Sequence, residues 1–176
     1  MEDRHHLTFD TYEVGKISLD EYLNRCVFFK RRNFTHQDFK KFMYAQSKPF
    51  PDMLDLVTSL KQQYHLKVAV VSNEGRELTA YRIKKFKLYR FVDFFVSSSF
   101  VHLRKPDEDI FTMALNIAQI PAKNVLYIED RPMFLQVAER LGINGIHHTD
   151  YTSTVSKLRI FGLKPEFNPN QPLKSR

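Results

Sequence analysis

Apolar runs alternate along the chain with stretches in which apolar residues recur every three or four positions. Three short runs rich in β-branched and aromatic residues cover residues 66–71, 92–96 and 125–128, and a shorter one covers residues 145–148. Such runs are typical of strands that are buried in a parallel sheet. The stretches between them have the spacing of amphipathic helices. This alternation predicts an α/β fold in which helices cover both faces of a parallel sheet.

Residues 1–48 are predicted to be helical and to form a small separate unit. Ser18 and Glu21 have the spacing of a capping box, and Thr35 is a suitable N-cap for a later helix. This unit is rich in phenylalanine, at Phe28, Phe29, Phe34, Phe39 and Phe42. Two interpretations remain open: a helical hairpin packed by these rings, or a lid whose aromatic inner surface faces a substrate.

Prolines at positions 49 and 51 interrupt the helical pattern and mark the boundary of a second unit, which covers residues 49–163. The remaining residues, 164–176, are rich in proline and polar side chains and are predicted to be disordered. A chain of 176 residues is long enough for one domain with a small subdomain.

The composition narrows the predicted location and partners. Hydrophobic residues make up 43% of the sequence, yet no apolar run approaches the roughly 18 residues that span a membrane. The polar amino terminus does not resemble a signal peptide, and a single cysteine, Cys26, allows no intrachain disulfide. We therefore expect a cytoplasmic protein without a membrane partner. The net charge of +7 favours anionic partners but does not identify them.

Basic residues cluster in one short stretch, at Arg82, Lys84, Lys85, Lys87 and Arg90. Such a run is usually the solvated face of a helix, and this is the interpretation we favour over contact with nucleic acid. The sequence is compatible with a homo-oligomer.

Polar side chains follow three of the predicted strands. Ser72 and Asn73 come after the first, the loop with Lys105 after the second, and Glu129 and Asp130 after the third. The carboxyl ends of parallel strands meet at one edge of a sheet, where open α/β folds bind their ligands. A strand end with a hydroxyl and free N–H groups can hold a phosphate, and adjacent carboxylates favour a divalent cation. Taken singly, these motifs are also ordinary turns and helix caps.

In order and spacing these motifs resemble those of the haloacid dehalogenase (HAD) superfamily, over about residues 10–162. Val-Val-Ser72-Asn73 is similar to the second motif of the superfamily, Arg104-Lys105-Pro106-Asp107 to the third, and Tyr127-Ile-Glu129-Asp130 to the fourth. The resemblance implies a three-layer Rossmann-like core with a parallel sheet. It also implies that residues 1–48 are the helical cap of a subfamily I member.

The resemblance further implies roles for individual residues. Ser72 and Asn73 would bind phosphoryl oxygens, and Lys105 would neutralise charge beside them, so that Ser72 and Lys105 are the candidate catalytic residues. Asp130 would bind Mg²⁺ directly and Glu129 through a water. The implied activity is that of a magnesium-dependent phosphatase, which hydrolyses a small phosphorylated metabolite through an aspartyl-phosphate.

The first motif of the superfamily, a strand that ends in the nucleophilic Asp-x-Asp, is missing. Leu7-Thr-Phe-Asp10 is the candidate for it, but it is short, and position 12 is tyrosine rather than aspartate. The resemblance places the missing strand between those that end near Ser72 and Asp130. We therefore expect weak Mg²⁺ binding. We also expect these two strands to pair directly with each other, or to pair with a strand supplied by residues 1–10 or by a second molecule. If neither is found, the gap between them marks residues that are absent from the given sequence.

The sequence is compatible with three functions. The first is a phosphatase whose nucleophile strand is absent from this chain. The second is a catalytically inactive binding protein that keeps the HAD fold, and the third is a nucleic-acid-associated factor that uses the basic residues between positions 82 and 90. A dehalogenase is disfavoured because that chemistry also needs the missing aspartate.

Overall fold

The computed structural model describes residues 2–165, which form helices and short strands in alternation after a helical amino-terminal unit. The described helices are α1 (Glu2–Glu13), α2 (Leu19–Cys26), α3 (His36–Ala45), α4 (Pro51–Tyr64), α5 (Arg76–Lys85), α6 (Ser98–Val101), α7 (Glu108–Ala118), α8 (Pro132–Arg140) and α9 (Tyr151–Ile160). The described strands are β1 (Ala69–Ser72), β2 (Phe94–Ser97), β3 (Leu126–Glu129) and β4 (Asn144–His147).

The helix boundaries follow from local sequence signals. The side chain of Ser18 accepts a hydrogen bond from the backbone N–H of Glu21, whose carboxylate accepts from the N–H of Ser18, so the predicted capping box is confirmed. Thr35 makes the same reciprocal pair with Asp38 at the start of α3. Proline occupies the first turn of α8, where its missing N–H leaves no helical hydrogen bond unmade.

The strands form two separate parallel pairs. β1 pairs with β2, with Val70 opposite Phe95, and β3 pairs with β4, with Tyr127 opposite Gly145. Apolar side chains from α7 and α8 pack on one face of the strands, and apolar side chains from α4 and α9 pack on the other. The predicted fold class, an α/β core with parallel strands and helices on both faces plus a helical cap, is confirmed.

A gap separates the two strand pairs. Among residues 2–165, β1 and β3 make no ladder with each other, so the expected direct pairing is not found. Residues 2–10 do not supply a strand either, because they belong to α1. Leu7-Thr-Phe-Asp10, the poor candidate for the missing first motif, is part of this helix and not of a strand. Phe9 and Tyr12, three residues apart on α1, pack in the core of the cap.

The helices α1 to α3 have their own small core, built from Tyr12, Leu19, Leu23, Cys26 and Val27. The free thiol of Cys26 is buried within it. Phe39 packs against this core, whereas Phe42 is 63% exposed, so the phenylalanines of this unit divide between core and surface.

The amino-terminal unit docks on the core at two close approaches. Gly15, with φ at +72°, lies so near the carbonyl of Ser99 that a Cβ would come within 2.2 Å of its oxygen. Gly75 lies against the phenol of Tyr12, where a Cβ would be 2.1 Å from the hydroxyl oxygen. Glycine is needed at both positions because any side chain would collide with the facing unit.

Within residues 2–165 no helix is both long and apolar enough to cross a bilayer. The predicted disordered tail falls mostly outside the described residues. Lys164 is described, and its backbone N–H donates a hydrogen bond to the hydroxyl of Tyr64 over 2.9 Å.

Candidate functional site

A cavity of about 510 Å³ opens at the carboxyl ends of β1 and β3. Its lining includes all five residues that the sequence singled out: Ser72, Asn73, Lys105, Glu129 and Asp130. Ser72 and Glu129 are the last residues of their strands, so the fold sets them at the same edge. Phe9 and Glu13 of α1 close the cavity from the side of the cap.

Lys105 is the buried cation of this cavity, with 6% of its surface exposed. Its ammonium donates to Glu129 Oε2 over 2.6 Å and to the hydroxyl of Tyr127 over 2.9 Å. The ring of Phe134 lies 4.8 Å from Nζ, which places the charge over an aromatic face. An ammonium has three N–H donors, so these two hydrogen bonds leave one donor for a ligand.

Asn73 fixes the position of this lysine. Its side-chain oxygen accepts from the backbone N–H of Lys105 over 2.8 Å, and its amide nitrogen donates to the carbonyl of Lys105 over 2.7 Å. Both ends of the side chain are therefore hydrogen-bonded to the loop between α6 and α7. Of the donors of Asn73, the backbone N–H is therefore the one that could bind an anion.

The two acids at the end of β3 are held differently. Glu129 is buried and accepts hydrogen bonds from the backbone N–H groups of Asp130 and Arg131. Burial raises the pKa of Glu129, but hydrogen bonds to Asp130, Lys105 and Tyr127 outweigh burial and lower that pKa to about 2. The hydrogen bond with Glu129, followed by burial, raises the pKa of the exposed Asp130. One carboxylate is thus strongly ionised, and the other is more easily protonated.

A second charged group in the cavity comes from the cap and was not predicted from the sequence. Glu13 is 6% exposed and forms an ion pair with Arg104 over 2.8 Å. Arg104 also pairs with Asp10. Burial raises the pKa of Glu13, and Arg104 partly offsets this. This network holds α1 to the loop that carries Lys105, and it engages Asp10 away from the strand ends.

An ion pair between Glu74 and Arg82 at the cavity was also not predicted from the sequence. Glu74 follows Asn73 in the lining and forms an ion pair with Arg82 of α5. Burial raises the pKa of Glu74, against the effect of Arg82. Arg82 belongs to the basic cluster for which a solvated helix face is predicted, but in the structure it lines the cavity. A period of three to four along α5 could have separated it from Lys84 and Lys85.

The residues present could supply only one or two ligands of a Mg²⁺ ion, and waters would have to supply the others. No group of three or more His, Cys, Asp or Glu side chains suitable for a metal occurs within the described part of the chain. Asp130 offers an exposed carboxylate, and Glu129 already receives hydrogen bonds from Lys105 and Tyr127. Because Mg²⁺ often keeps several waters and takes one or two carboxylates, this donor set suits a weakly held ion.

The sequence pattern of one family, described as haloacid dehalogenase-like hydrolase, matches residues 9–147. This chain belongs to that family. The assignment from the motifs around Ser72, Lys105 and Asp130 is thereby confirmed at the level of the family.

A curated relative gives a narrower comparison. The chain is 26% identical over 113 residues to a protein of Caldanaerobacter subterraneus that carries the name pyrophosphatase PpaX. The alignment covers 64% of this chain and 51% of that protein. The chain thus spans about half the length of this curated relative.

Solved structures share the fold. A HAD family enzyme from Bacteroides thetaiotaomicron, in complex with magnesium and inorganic phosphate, superposes with a TM-score of 0.74 at 20% identity, over 88% of this chain and 83% of that one. A HAD-like family hydrolase from Porphyromonas gingivalis superposes with a TM-score of 0.69 at 20% identity, over 86% and 78% of the two chains. At these identities the likeness concerns the fold alone.

Proposed function

We propose that this chain is the phosphate- and metal-binding part of a magnesium-dependent phosphatase for a small phosphorylated metabolite. The observation that carries the proposal is the meeting, in one cavity, of a strand-end serine, a buried lysine and two adjacent acids. Charged and polar groups that converge in a cleft with shifted pKa values are typical of active sites. The family membership supports hydrolytic chemistry, and the Bacteroides relative was solved with magnesium and phosphate.

In this proposal each residue has a separate role. The hydroxyl of Ser72 and the backbone N–H of Asn73 bind phosphoryl oxygens. The third N–H of Lys105 meets the phosphoryl group, while Glu129 and Tyr127 keep the ammonium in place. Donors fixed in advance stabilise developing charge without reorganisation, which is how such a site accelerates phosphoryl transfer.

Asp130 would hold the Mg²⁺ ion, and Glu129 would orient one of its waters. When bound, the ion supplies positive charge beside the transferring phosphoryl oxygens. The hydrogen bonds that fix Glu129 are made by Lys105, Tyr127 and the backbone of Arg131, so the orientation of this acid does not depend on the ion.

The nucleophile is the part that residues 2–165 do not provide in the required place. An aspartyl-phosphate needs a carboxylate that faces both Ser72 and Lys105. Asp10 pairs with Arg104 on the side of the cap, with 73% of its side chain exposed. The proposal therefore places the nucleophile on a strand that enters the gap between β1 and β3. Residues 1–48 serve as the cap over residues 49–163 in this arrangement.

Binding of inorganic phosphate with Mg²⁺, followed by ³¹P NMR, tests the proposal. We expect Ser72→Ala and Asp130→Ala to weaken binding, and Ser156→Ala, on the exposed face of α9, to leave it unchanged. Equal binding by all variants would contradict the proposal.

A catalytically inactive binding protein is the second candidate. It is favoured by the neutralisation of Lys105 by Glu129 over 2.6 Å, which is already complete without a ligand. This candidate predicts phosphate binding by the chain and no hydrolysis of an aryl phosphate, even after a strand with Asp-x-Asp has been supplied.

A further inference from the structure

Three cationic side chains of the cap gather around one aromatic ring. The guanidinium carbon of Arg4 lies 4.4 Å from the centre of the Phe29 ring, and Nζ of Lys30 and Cζ of Arg32 each lie 5.5 Å from it. Arg4 belongs to α1, whereas the other three residues belong to the loop between α2 and α3. No two of the three charges are therefore separated by much more than ~10 Å, about the Debye length at 0.1 M salt.

No acid of the described part of the chain neutralises this cluster. None of the ion pairs among the described residues includes Arg4, Lys30 or Arg32. Residues 22–37 contain four basic side chains and no acidic one. The ring of Phe29 attracts each cation, but it has only two faces for three charges. Like charges at this spacing repel each other, so an anion that binds among them removes an unfavourable interaction.

Backbone carbonyls hold two of the cations in place. The Nε–H of Arg32 donates to the carbonyl of Val27 over 2.7 Å, and a terminal N–H of Arg4 donates to the carbonyl of Arg25 over 3.4 Å. The two terminal amino groups of Arg32 donate to no group of the described residues, so this end of the guanidinium offers two parallel N–H donors. Such a fork matches two oxygens of a phosphate or of a carboxylate.

Aromatic contacts fix both ends of the loop. Phe28 packs against the core of the cap and is stacked with His36, with 3.8 Å between the ring centres. Phe34 meets Phe28 edge-on at 5.6 Å and is stacked with Phe39 at 6.3 Å. A loop that is held in this way keeps its cations together before a ligand arrives, which lowers the entropic cost of binding.

The backbone of the loop adds further donors. Among the described residues, the N–H groups of residues 29–34 donate to no carbonyl and to no side chain, and none of these six residues is proline. The loop therefore offers unpaired N–H groups beside the ammonium of Lys30 and the fork of Arg32. A carboxylate has two oxygens to accept them, whereas a chain of phosphate groups presents several oxygens and several charges in a row. The donors of the loop match the phosphate chain better.

We propose that this loop and Arg4 form a second anion-binding site, on the cap, for a ligand with two or more adjacent phosphate groups. Arg32 binds one phosphate through its terminal N–H groups, and Lys30 and Arg4 bind the next. Arg4 and Glu13, which lines the cavity, lie at opposite ends of α1, about 14 Å apart along the helix axis. The site is therefore separate from the cavity, and it does not depend on the proposed phosphatase activity.

Titration of the full ¹⁵N-labelled chain with inorganic tripolyphosphate, in the absence of Mg²⁺, tests the proposal by NMR. We expect the Nε–H signals of Arg4 and Arg32 and the amide signals of residues 29–34 to shift together, with one dissociation constant. Citrate, which carries three carboxylates, should bind at least about tenfold more weakly. Equal affinity for citrate and tripolyphosphate, or no shift of the loop signals, would overturn the proposal.

Three substitutions separate the geometry of the site from its charge. Arg32→Lys keeps the charge but loses the fork, so it should weaken tripolyphosphate binding about fivefold or more, as should Lys30→Ala. Lys85→Ala removes an exposed cation from α5, outside the cap, and should change the affinity little. The melting temperature of each variant shows that it folds. Full affinity in Arg32→Lys, or an equal loss in Lys85→Ala and Lys30→Ala, would mean attraction by net charge alone and would overturn the proposal.

Two further comparisons identify the place and the source of the phosphate groups. Ser72→Ala and Asp130→Ala alter the cavity and should leave the shifts of residues 29–34 unchanged. Loss of these shifts in either variant would place the ligand in the cavity and overturn the proposal. ATP is the second probe. Tighter binding of ATP than of tripolyphosphate, lost in Phe34→Leu, would support a nucleotide whose base stacks on the 39% exposed Phe34, and equal binding would support a free phosphate chain.

Discussion

The ammonium of Lys105 lies 2.6 Å from Glu129 Oε2, and the side chains of both residues are less than a tenth exposed. A buried ion pair is well satisfied only while both partners are present, because either charge alone is costly to keep out of water. We expect Lys105→Met and Glu129→Leu each to lower the free energy of unfolding by about 3–5 kcal/mol.

The double variant Lys105→Met with Glu129→Leu should lose less than the two single variants together, because it leaves no buried charge unpaired. Urea unfolding of all variants measures this coupling. Arg140→Ala, which breaks the exposed pair with Glu108, serves as the control and should change little. Additive losses at Lys105 and Glu129 would contradict the coupling of the two groups.

The pH dependence of stability should reveal the ionisation of Glu129. Its pKa is about 2 in the folded chain, below the ordinary value of about 4.3 for glutamate. The folded state then binds fewer protons than the unfolded state between these values. The stability that Glu129 contributes is complete above about pH 4.3 and is lost as the pH falls towards 2.

Comparison with Glu129→Gln separates this effect from the raised pKa values of Glu13 and Glu74, which act in the opposite direction. The raised pKa of Asp130 depends on its hydrogen bond with Glu129 and changes together with it. A carboxyl with a raised pKa makes the folded state less stable as the pH rises through that pKa. The difference in urea midpoint between the two proteins should therefore shrink from pH 5 to pH 2. A difference that stays constant would show that the pKa of Glu129 is not lowered.

Much of the site could be predicted from the sequence because its residues follow the predicted strands. Ser72, Lys105 and Asp130 each follow a predicted strand, and parallel strands bring their carboxyl ends to one edge. The contact of Tyr127 with Lys105 could not be predicted in this way. It lies inside an apolar strand, and only its register directs the hydroxyl towards Lys105.

The ion pairs between the cap and the core could not be predicted from the sequence, for a different reason. Glu13 and Arg104 are separated by a long stretch of sequence, and their contact depends on how α1 docks against the core. Local pattern predicts that each helix exists, but docking depends on side chains that meet from distant segments. The open gap between β1 and β3 has the same origin, because pairing depends on which strands become neighbours.

The docking of the cap should be sensitive to a single methyl group. In Gly75→Ala the new Cβ would lie 2.1 Å from the hydroxyl oxygen and 2.2 Å from the ring of Tyr12. Overpacking of this kind costs about 1–3 kcal/mol. We expect a lower melting temperature and faster hydrogen exchange in α1 and α2. Because Tyr12→Ala removes the obstacle, the double variant should lose less than the sum of the single losses, and full additivity would argue against this contact.

Binding of Mg²⁺ by the chain should be weak. Asp130 is the exposed carboxylate of the pair, and an octahedral ion held mainly by waters gains little from one ligand. Titration with Mg²⁺ should shift the backbone amide signal of Asp130, and Asp130→Ala should remove the response. Tight stoichiometric binding by calorimetry would mean that another acid completes the coordination, and Asp10 and Asp107 would be the first to replace.

A strand joined ahead of Met1 tests the phosphatase proposal together with the sheet. An apolar segment that ends in Asp-x-Asp, connected by a flexible linker, would pair with the open edges of β1 and β3. Each hydrogen bond adds about 0.5–1.5 kcal/mol, so we expect the melting temperature to rise by about 5–10 °C. The same protein should hydrolyse an aryl phosphate with Mg²⁺, and Asp130→Ala should abolish the activity. A higher melting temperature without hydrolysis would favour the inactive binding protein. An unchanged melting temperature with no hydrolysis would contradict the phosphatase proposal.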